Sequence, residues 1–366
     1  MKKGSPVTIP MFNIAPQLAA TETAWRGHLE QLFRKLHFIT GEQLESFEGE
    51  FAEAMGARFA AGVGTGTAAI ELCLRAAGLG GSGKEVIVPA LTSLFSGQAI
   101  LAAGCVPRFA DVHPETLLLD ISEVERLLNK KTGAILPVHL YGHVCELPKL
   151  ARLAREARVA LVQDACQAHG ARCQGRPLTD FSPYVAYSFY PTKNLGALGD
   201  GGGIATSRAT VAAKVRLLRD GGRRNDQLSR IPAINSRLDE MQCCYLRAFL
   251  PHLAQWTAQR SRLAALYDEL LAGSRTVRPV PRGEGSVDHL YVVRTRHREK
   301  LRERLASRGI LTAIHYPIPL HRQPAFGSRE RLPHSEKACR EILSLPLWPY
   351  LPESGVREVA AACENA

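Results

Sequence analysis

The strongest constraint on the fold lies between residues 85 and 205, where short apolar runs alternate with helix-like stretches. The strand candidates are Glu85–Pro89, Val106–Asp111, Gly133–His139, Ala160–Asp164, Tyr184–Phe189 and Gly203–Thr206. Between them, Leu94–Ala103, Ser122–Leu128 and Glu146–Ala157 carry helical spacing. Such alternation implies parallel strands, because a crossover helix returns the chain to the same edge of the sheet. Helices then cover both sheet faces, which is why the strands are apolar throughout. The expected fold class is α/β, with a mostly parallel central sheet sandwiched by helices. Ligands of such sheets gather at the carboxyl ends of the strands, and functional residues are expected there.

Asp164 closes the run Ala160-Leu161-Val162-Gln163. An unpaired acid is costly to bury, so it is expected to face a cation or a polar site. Gln167 and His169 follow it. The run Tyr184–Phe189 leads to Pro191, which has no N–H for a ladder, and then to Lys193. Lys193 is either a surface residue at a strand end or a desolvated amine, which burial makes less basic and more nucleophilic. Upstream, the buried run Arg58–Val63 is followed by Gly64-Thr65-Gly66-Thr67 and a helix. A glycine-rich helix start suits an anion, and tight strand–helix packing would select the same residues. The lysine of a P-loop and the three-glycine dinucleotide spacing are both missing. A lysine, an aspartate and a phosphate cradle at one sheet edge are what pyridoxal 5'-phosphate requires. The lysine forms a Schiff base, the carboxylate keeps the pyridine nitrogen protonated, and the helix start holds the phosphate.

The remainder of the chain narrows the class. With 366 residues, one large or two ordinary domains are expected. No run of about 18 apolar residues is present, so no membrane span is expected. The basic Met1-Lys2-Lys3 start has no apolar core behind it and does not resemble a secretory signal. Nine scattered cysteines without a Cys-x-x-Cys pair suit a reduced, cytoplasmic protein and give a metal site no support. The net charge of +11 is mostly arginine on amphipathic segments, with a cluster at Arg216, Arg219, Arg223, Arg224 and Arg230. No aromatic-interleaved basic tract accompanies it, so a solvated surface and a phosphate pocket are expected rather than nucleic-acid binding.

Residues 1–40 show little periodicity, and Ile9, Pro10 and Phe12 suggest an apolar arm lying on a larger body. Residues 41–255 are expected to form the large cofactor-binding domain. It opens with a helix marked by Leu44, Phe47, Phe51 and Met55, and a helical region from about 209 to 272 runs across its end. The polar loop Asp220–Ala233 is expected to be mobile or to face ligand. Ser236-Arg237-Leu238-Asp239 resembles a capping box, and Pro251 is expected to kink the following helix. Residues 256–366 are expected to form a small α+β domain, with Gly273–Ser286 a linker or crossing loop ahead of its strands. Its strands are His289–Arg294 and Ile310–Tyr316, and its helices are Arg298–Arg308, Glu336–Leu343 and Gly355–Cys363.

Six motifs occur in order: Gly66-Thr67-Ala68-Ala69, Asp164–Gly170, Ser188–Asn194, Gly199–Gly202, Asn235–Glu240 and His315-Tyr316-Pro317. Together they resemble the DegT/StrS-type nucleotide-sugar aminotransferases, over nearly the whole chain from Ile9 to Pro349. Ser188–Asn194, Tyr141-Gly142-His143 and His315-Tyr316-Pro317 are most similar to the branch that aminates C3 of a 3-keto-6-deoxyhexose nucleotide. The resemblance implies fold type I, as in aspartate aminotransferase, and a homodimer with shared active sites. It makes Lys193 the Schiff-base lysine and Asp164 the pyridinium partner, with Gln167 at the cofactor's phenolic oxygen. Gly66, Thr67 and Ser188 would hold the phosphate, joined by Asn235 of the partner subunit. Tyr190, His315, Tyr316 and His321 would line the substrate side. His143 and His169 are read equally well as structural histidines.

The sequence also departs from the family pattern. Ser93 stands where an aromatic ring usually stacks on the cofactor, with Phe95 two residues on. Ala233 replaces a common glycine, Asn225-Asp226-Gln227-Leu228 replaces a Tyr/His pattern, and Gln163 replaces a glutamate. The implied reaction is a ping-pong transamination in deoxyamino-sugar biosynthesis. L-glutamate displaces Lys193 from the cofactor, and freed Lys193 carries the 1,3-proton shift. Two alternatives remain: a cyclitol or other non-sugar ketone as acceptor, and a regulatory homologue without turnover.

Overall fold

The computed structural model describes residues 8–223 and 228–364. Arg224 and the Asn225-Asp226-Gln227 departure lie outside the described residues. Ile9 bridges Ile310 in parallel, so the apolar arm does lie on the body. The rest of the expected arm is helical: α1 (Ala15–Ala20) and α2 (Glu22–Lys35). Of α2 only Leu32 is fully buried, and a helix with one buried position has almost no apolar stripe to show. Trp25 anchors it on Tyr245, with ring centroids 5.4 Å apart.

α3 (Glu42–Met55) buries the expected face through Leu44, Phe47, Phe51 and Met55 and stops at Gly56, whose φ of 66° is the left-handed helix end that glycine accommodates. Strands and helices then alternate: β1 (Phe59–Val63), α4 (Gly66–Ala76), β2 (Glu85–Pro89), α5 (Leu94–Ala102) and β3 (Val106–Ala110). They continue as α6 (Ile121–Leu127), β4 (Thr132–Ile135), α7 (Leu147–Ala157) and β5 (Ala160–Asp164). A small hairpin, β6 (Arg172–Cys173) and β7 (Arg176–Pro177), precedes β8 (Tyr184–Ser188) and β9 (Gly202–Thr206). β4 is shorter than the expected Gly133–His139, and beyond Pro137 only Val138 bridges to Asp164.

The seven-stranded sheet runs β1-β9-β8-β5-β4-β2-β3. Its pairs are parallel except at β9, which is antiparallel to both β1 and β8. Successive side chains point to opposite faces. In β8, Val185 and Tyr187 pack with Phe47 and Phe51 of α3, whereas Ala186 packs with Ile70 and Leu72 of α4. Burial of Phe47 and Phe51 stabilises this face by about 2–3 kcal/mol each.

α8 (Ala209–Arg219) and α9 (Glu240–Phe249) follow. One 3-10 turn containing Pro251 separates α9 from α10 (Leu253–Leu270). The expected capping box is not made. Ser236 Oγ accepts from Gly64 N (3.0 Å), and Asp239 makes no side-chain cap. Glu240 caps α3 instead, accepting from the N–H groups of Gly41, Gln43 and Leu44 at 2.8, 2.9 and 3.0 Å. In the arginine cluster, Arg216 and Arg219 both pair with Glu48 and Arg223 pairs with Asp220.

A second, antiparallel sheet joins β10 (Arg278–Pro279), β11 (Tyr291–Arg294) and β12 (Ile342–Leu345). α11 (Arg298–Ser307), α12 (Pro333–Glu341) and α13 (Glu353–Glu364) complete the chain. Two expectations fail here. Ile310–Tyr316 is no strand, only isolated bridges at Ile310 and Ala313, and the end of the expected Glu336–Leu343 helix is β12. All four residues of β12 are buried, and so short a run has no period to separate strand from helix.

Candidate active site

A cavity of about 440 Å³ opens where β5, β8 and the start of α4 meet. It brings together Gly66, Thr67, Ser93, Asp164, Gln167, Ser188, Tyr190, Lys193, His315 and Tyr316.

Lys193 sits on a loop that closes on itself after β8. Its N–H donates to Tyr190 O (2.9 Å), and Ala197 N donates back to Phe189 O (2.7 Å). Gly196 permits the closure, because a Cβ there would lie 2.5 Å from Pro191 O. Burial pushes the Lys193 ammonium below the usual lysine range, while Cys166 and Asp164 pull the other way. The amine is therefore easier to deprotonate than a surface lysine.

Asp164 is held at both ends of its peptide unit: its N–H donates to Pro137 O (2.9 Å) and its carbonyl accepts from His139 N (3.0 Å). Its carboxylate accepts from Ser96 Oγ on Oδ2 (2.7 Å) and from Cys166 N on Oδ1 (3.1 Å). Gln167 Oε1 accepts from Tyr141 N (2.7 Å), and its Nε2 donates to Tyr316 Oη (3.1 Å). Tyr141 Oη in turn donates to His315 O (2.5 Å). This network ties His315-Tyr316 to the end of β5. Burial first, then the Lys193 charge, pushes His315 down to about 4, so the ring is neutral near pH 7. Its Nδ1 lies 2.8 Å from Ser344 Oγ. Burial raises Tyr316 to about 12, so its hydroxyl stays protonated.

The start of α4 lies flush against the strand ends. A Cβ on Gly66 would meet Ser188 Cβ at 2.6 Å, and one on Gly202 would meet Thr65 O at 2.2 Å. Thr65 Oγ1 accepts from Ala68 N (3.0 Å), while the N–H groups of Gly66 and Thr67 lie in the first turn, which has no intrahelical acceptor. Ser93 begins α5, and its Oγ accepts from Phe95 N (3.4 Å). Apolar wall on that side comes from Phe95, 57% exposed, and from Phe12 of the arm.

Not every expected residue reaches the cavity. His321 is buried away from it, bonded through Nε2 to Glu336 (3.0 Å), with its ring 6.4 Å from Phe109. Asn235 is exposed and pairs with Asp220 in an isolated bridge, outside the cavity of its own chain. His169 is buried against Tyr187 and Phe189, with centroids 5.3 and 5.9 Å away. Neither ring nitrogen of His169 or His143 has a partner among the described residues, and neither histidine lines the cavity. Gln163 has a neutral environment: Oε1 faces His139 Nε2 (3.1 Å) and Nε2 donates to Leu178 O (2.9 Å).

Sequence reasoning missed Thr92, Ser96, His289 and Arg260, all of which line the cavity. Arg260 is 2% exposed and donates to the carbonyls of His289 (3.2 Å) and Leu347 (2.9 Å). Only Ser96 had a usable signal, a hydroxyl in the first turn of a helix that follows a strand end.

The site suits pyridoxal phosphate on its own geometry. It combines a desolvated lysine, a buried carboxylate with acceptor capacity to spare, and a helix start that no side chain obstructs. The DegT/DnrJ/EryC1/StrS aminotransferase family model matches residues 21–364. The chain belongs to this family. It is 42% identical over 320 residues to dTDP-3-amino-3,4,6-trideoxy-alpha-D-glucose transaminase of Streptomyces venezuelae, covering 86% of this chain and 84% of the relative. To a pleiotropic regulatory protein of Geobacillus stearothermophilus it is 38% identical, covering 95% of each. The solved structure of S. venezuelae DesV in complex with a ketimine intermediate superimposes with a TM-score of 0.95 at 37% identity, covering 99% of this chain and 98% of that one. This aminotransferase is a pyridoxal phosphate-dependent enzyme with the expected fold. Among its described residues, no helix is long and apolar enough to cross a membrane and no group of side chains could hold a metal ion.

Proposed function

We propose that this aminotransferase moves an amino group from L-glutamate to the C3 keto group of a nucleotide-linked deoxysugar. The observation that carries the reading is the convergence of buried Lys193, Asp164 and the unobstructed start of α4 in one cavity. The sugar substrate is supported by near full-length similarity to the S. venezuelae dTDP-sugar transaminase.

In this reading Lys193 would hold the cofactor, and its amine would move the proton. Burial lowers its basicity, so the free amine is reached more readily than at a surface lysine. Bound pyridoxal phosphate supplies the electron sink. Asp164 would hold the ring nitrogen, Gln167 the phenolic oxygen, and Gly66, Thr67 and Ser188 the phosphate. Ser93 would stand at the ring side of the cavity, with Phe95 offering apolar surface. Tyr190, half-exposed at the mouth, and His315 and Tyr316, held by the Gln167–Tyr141 network, meet the sugar. His321, bonded to Glu336 beside Phe109, lies outside the cavity and is not part of this proposal. Asn235 is exposed outside its own cavity, which suits a contribution to the second site of a homodimer. The division into an arm (1–40), a large domain (41–255) and a small domain (256–366), and a cytoplasmic location with all nine cysteines free, complete the proposal.

The purified enzyme is expected to show a visible absorbance band that L-glutamate bleaches and that Lys193→Ala lacks. A band undiminished in Lys193→Ala would refute the role of this residue. Turnover of free cyclitol ketones but not of nucleotide-linked 3-keto sugars would refute the substrate, and retained DNA binding without any turnover would favour a regulator. Light scattering tests the dimer. Mixing Asn235→Ala with Lys193→Ala protomers, each inactive alone, should restore activity if the sites are shared.

A further inference from the structure

We propose that Ser96, itself held by Thr92, is a positioning residue that orients the Asp164 carboxylate toward the ring nitrogen of the cofactor. The proposal rests on the reading that Asp164 faces that nitrogen. Ser96 and Thr92 are each 1% exposed, so water does not substitute for their bonds. Ser96 Oγ lies 2.7 Å from Asp164 Oδ2, and Thr92 Oγ1 lies 3.1 Å from Ser96 Oγ. Proton counting fixes the direction of the chain. A carboxylate only accepts, so the single Ser96 proton goes to Asp164. Thr92 must then donate to Ser96, and each bond polarises the next.

The backbone holds the chain in place. Ser96 is in the first turn of α5, its N–H donating to Ser93 O (3.1 Å). The neighbouring Gly97 packs so closely on Phe326 that a Cβ would lie 2.5 Å from the ring, which limits movement of α5. Cys166 N holds the other carboxylate oxygen at 3.1 Å, so the two donors define the carboxylate plane between them.

Fixed in this plane, the carboxylate would turn its free acceptor side to the ring nitrogen. Without Ser96 the carboxylate would be free to turn, its bond to the ring nitrogen would weaken, the ring would withdraw less, and the linkage between Lys193 and the cofactor would become more basic.

The test is a pH titration of the visible band in holoenzyme, together with cofactor affinity by equilibrium titration. Ser96→Ala is expected to raise the band's pH midpoint by about half a unit, roughly a threefold change in the acid constant. It is also expected to weaken cofactor binding about tenfold. Ser96→Thr should restore both values, which a generic packing defect would not allow. Thr92→Val, which keeps Ser96, should move the midpoint in the same direction by less, and it serves as the test if Ser96→Ala does not fold. A wild-type band with an unmoved midpoint in these variants overturns the proposal alone. The absence of any band in wild type overturns the cofactor-site reading and the proposal with it.

Discussion

Asp111 and Asp164 obey the same local rule and end in different roles. Each closes an apolar run at the carboxyl end of a parallel strand, and each is 4% exposed. Asp111 receives four donors: Val112 N (3.0 Å), Ser335 N (2.7 Å) and Ser335 Oγ (2.6 Å) on Oδ1, and His334 N (2.9 Å) on Oδ2. Two of these are amides in the first turn of α12, where Leu332 at the N-cap offers no oxygen and Pro333 has no N–H. Asp111 supplies the missing cap from across the molecule, and its charge suits the positive end of that helix. Among the described residues Asp164 accepts from Ser96 Oγ and Cys166 N, with the Cys166 thiol beside it, and the cavity meets its free side. A carboxylate saturated by its own chain has nothing left for a ligand, whereas unfilled acceptor capacity on a buried charge marks a site.

The sharpest way to break this comparison is to remove each charge in turn. Asp164→Asn is expected to lower turnover by roughly 10³-fold while changing stability by less than about 1 kcal/mol. Asp111→Ala is expected to cost about 3 kcal/mol in urea denaturation, from the lost cap and stranded amides, with turnover per folded molecule unchanged. Loss of turnover without loss of stability in Asp111→Ala would erase the distinction.

A pH series sharpens it further, because the Asp164 strand end carries a titratable neighbour. Burial pushes His139, whose N–H donates to Asp164 O, down to about 4. Its folded value lies below the unfolded value of about 6.5, so the unfolded state binds the extra proton. Stability is full above about pH 6.5, falls as the pH drops, and stops falling near pH 4, with a loss of up to about 3 kcal/mol. Urea midpoints at pH 7.5, 6 and 5 should trace this fall, to which buried His143 and His315 add, and His139→Asn should make it shallower by the His139 share. An equally steep fall in the variant would refute the assignment.

The smallest effect is expected from Ser335→Ala. It removes one of four donors to Asp111 and should cost about 1 kcal/mol, without moving the cofactor band. Ser96→Ala, the matching change at Asp164, should move that band.

The sequence by itself determined the alternating α/β architecture, the strand end at Asp164 and the Lys193 turn. Apolar period and the missing N–H of Pro191 act within a few residues of chain, so they are legible without the fold, whereas the steric demand at Gly66 comes from Ser188 and Cys166 on distant segments. Only the tertiary structure chose between Asp111 and Asp164, because their donors lie 224 and 68 residues away and leave no local period. The same reason hid Ser96, turned Ser236 to Gly64 instead of a box with Asp239, sent Glu240 to cap α3, and enclosed His321 with Glu336. Helix α2 was invisible for the opposite reason, since it buries too little to impose a pattern. Local sterics and periodicity are written in neighbouring residues, whereas hydrogen-bond saturation of a buried group depends on which distant segments the fold brings to it.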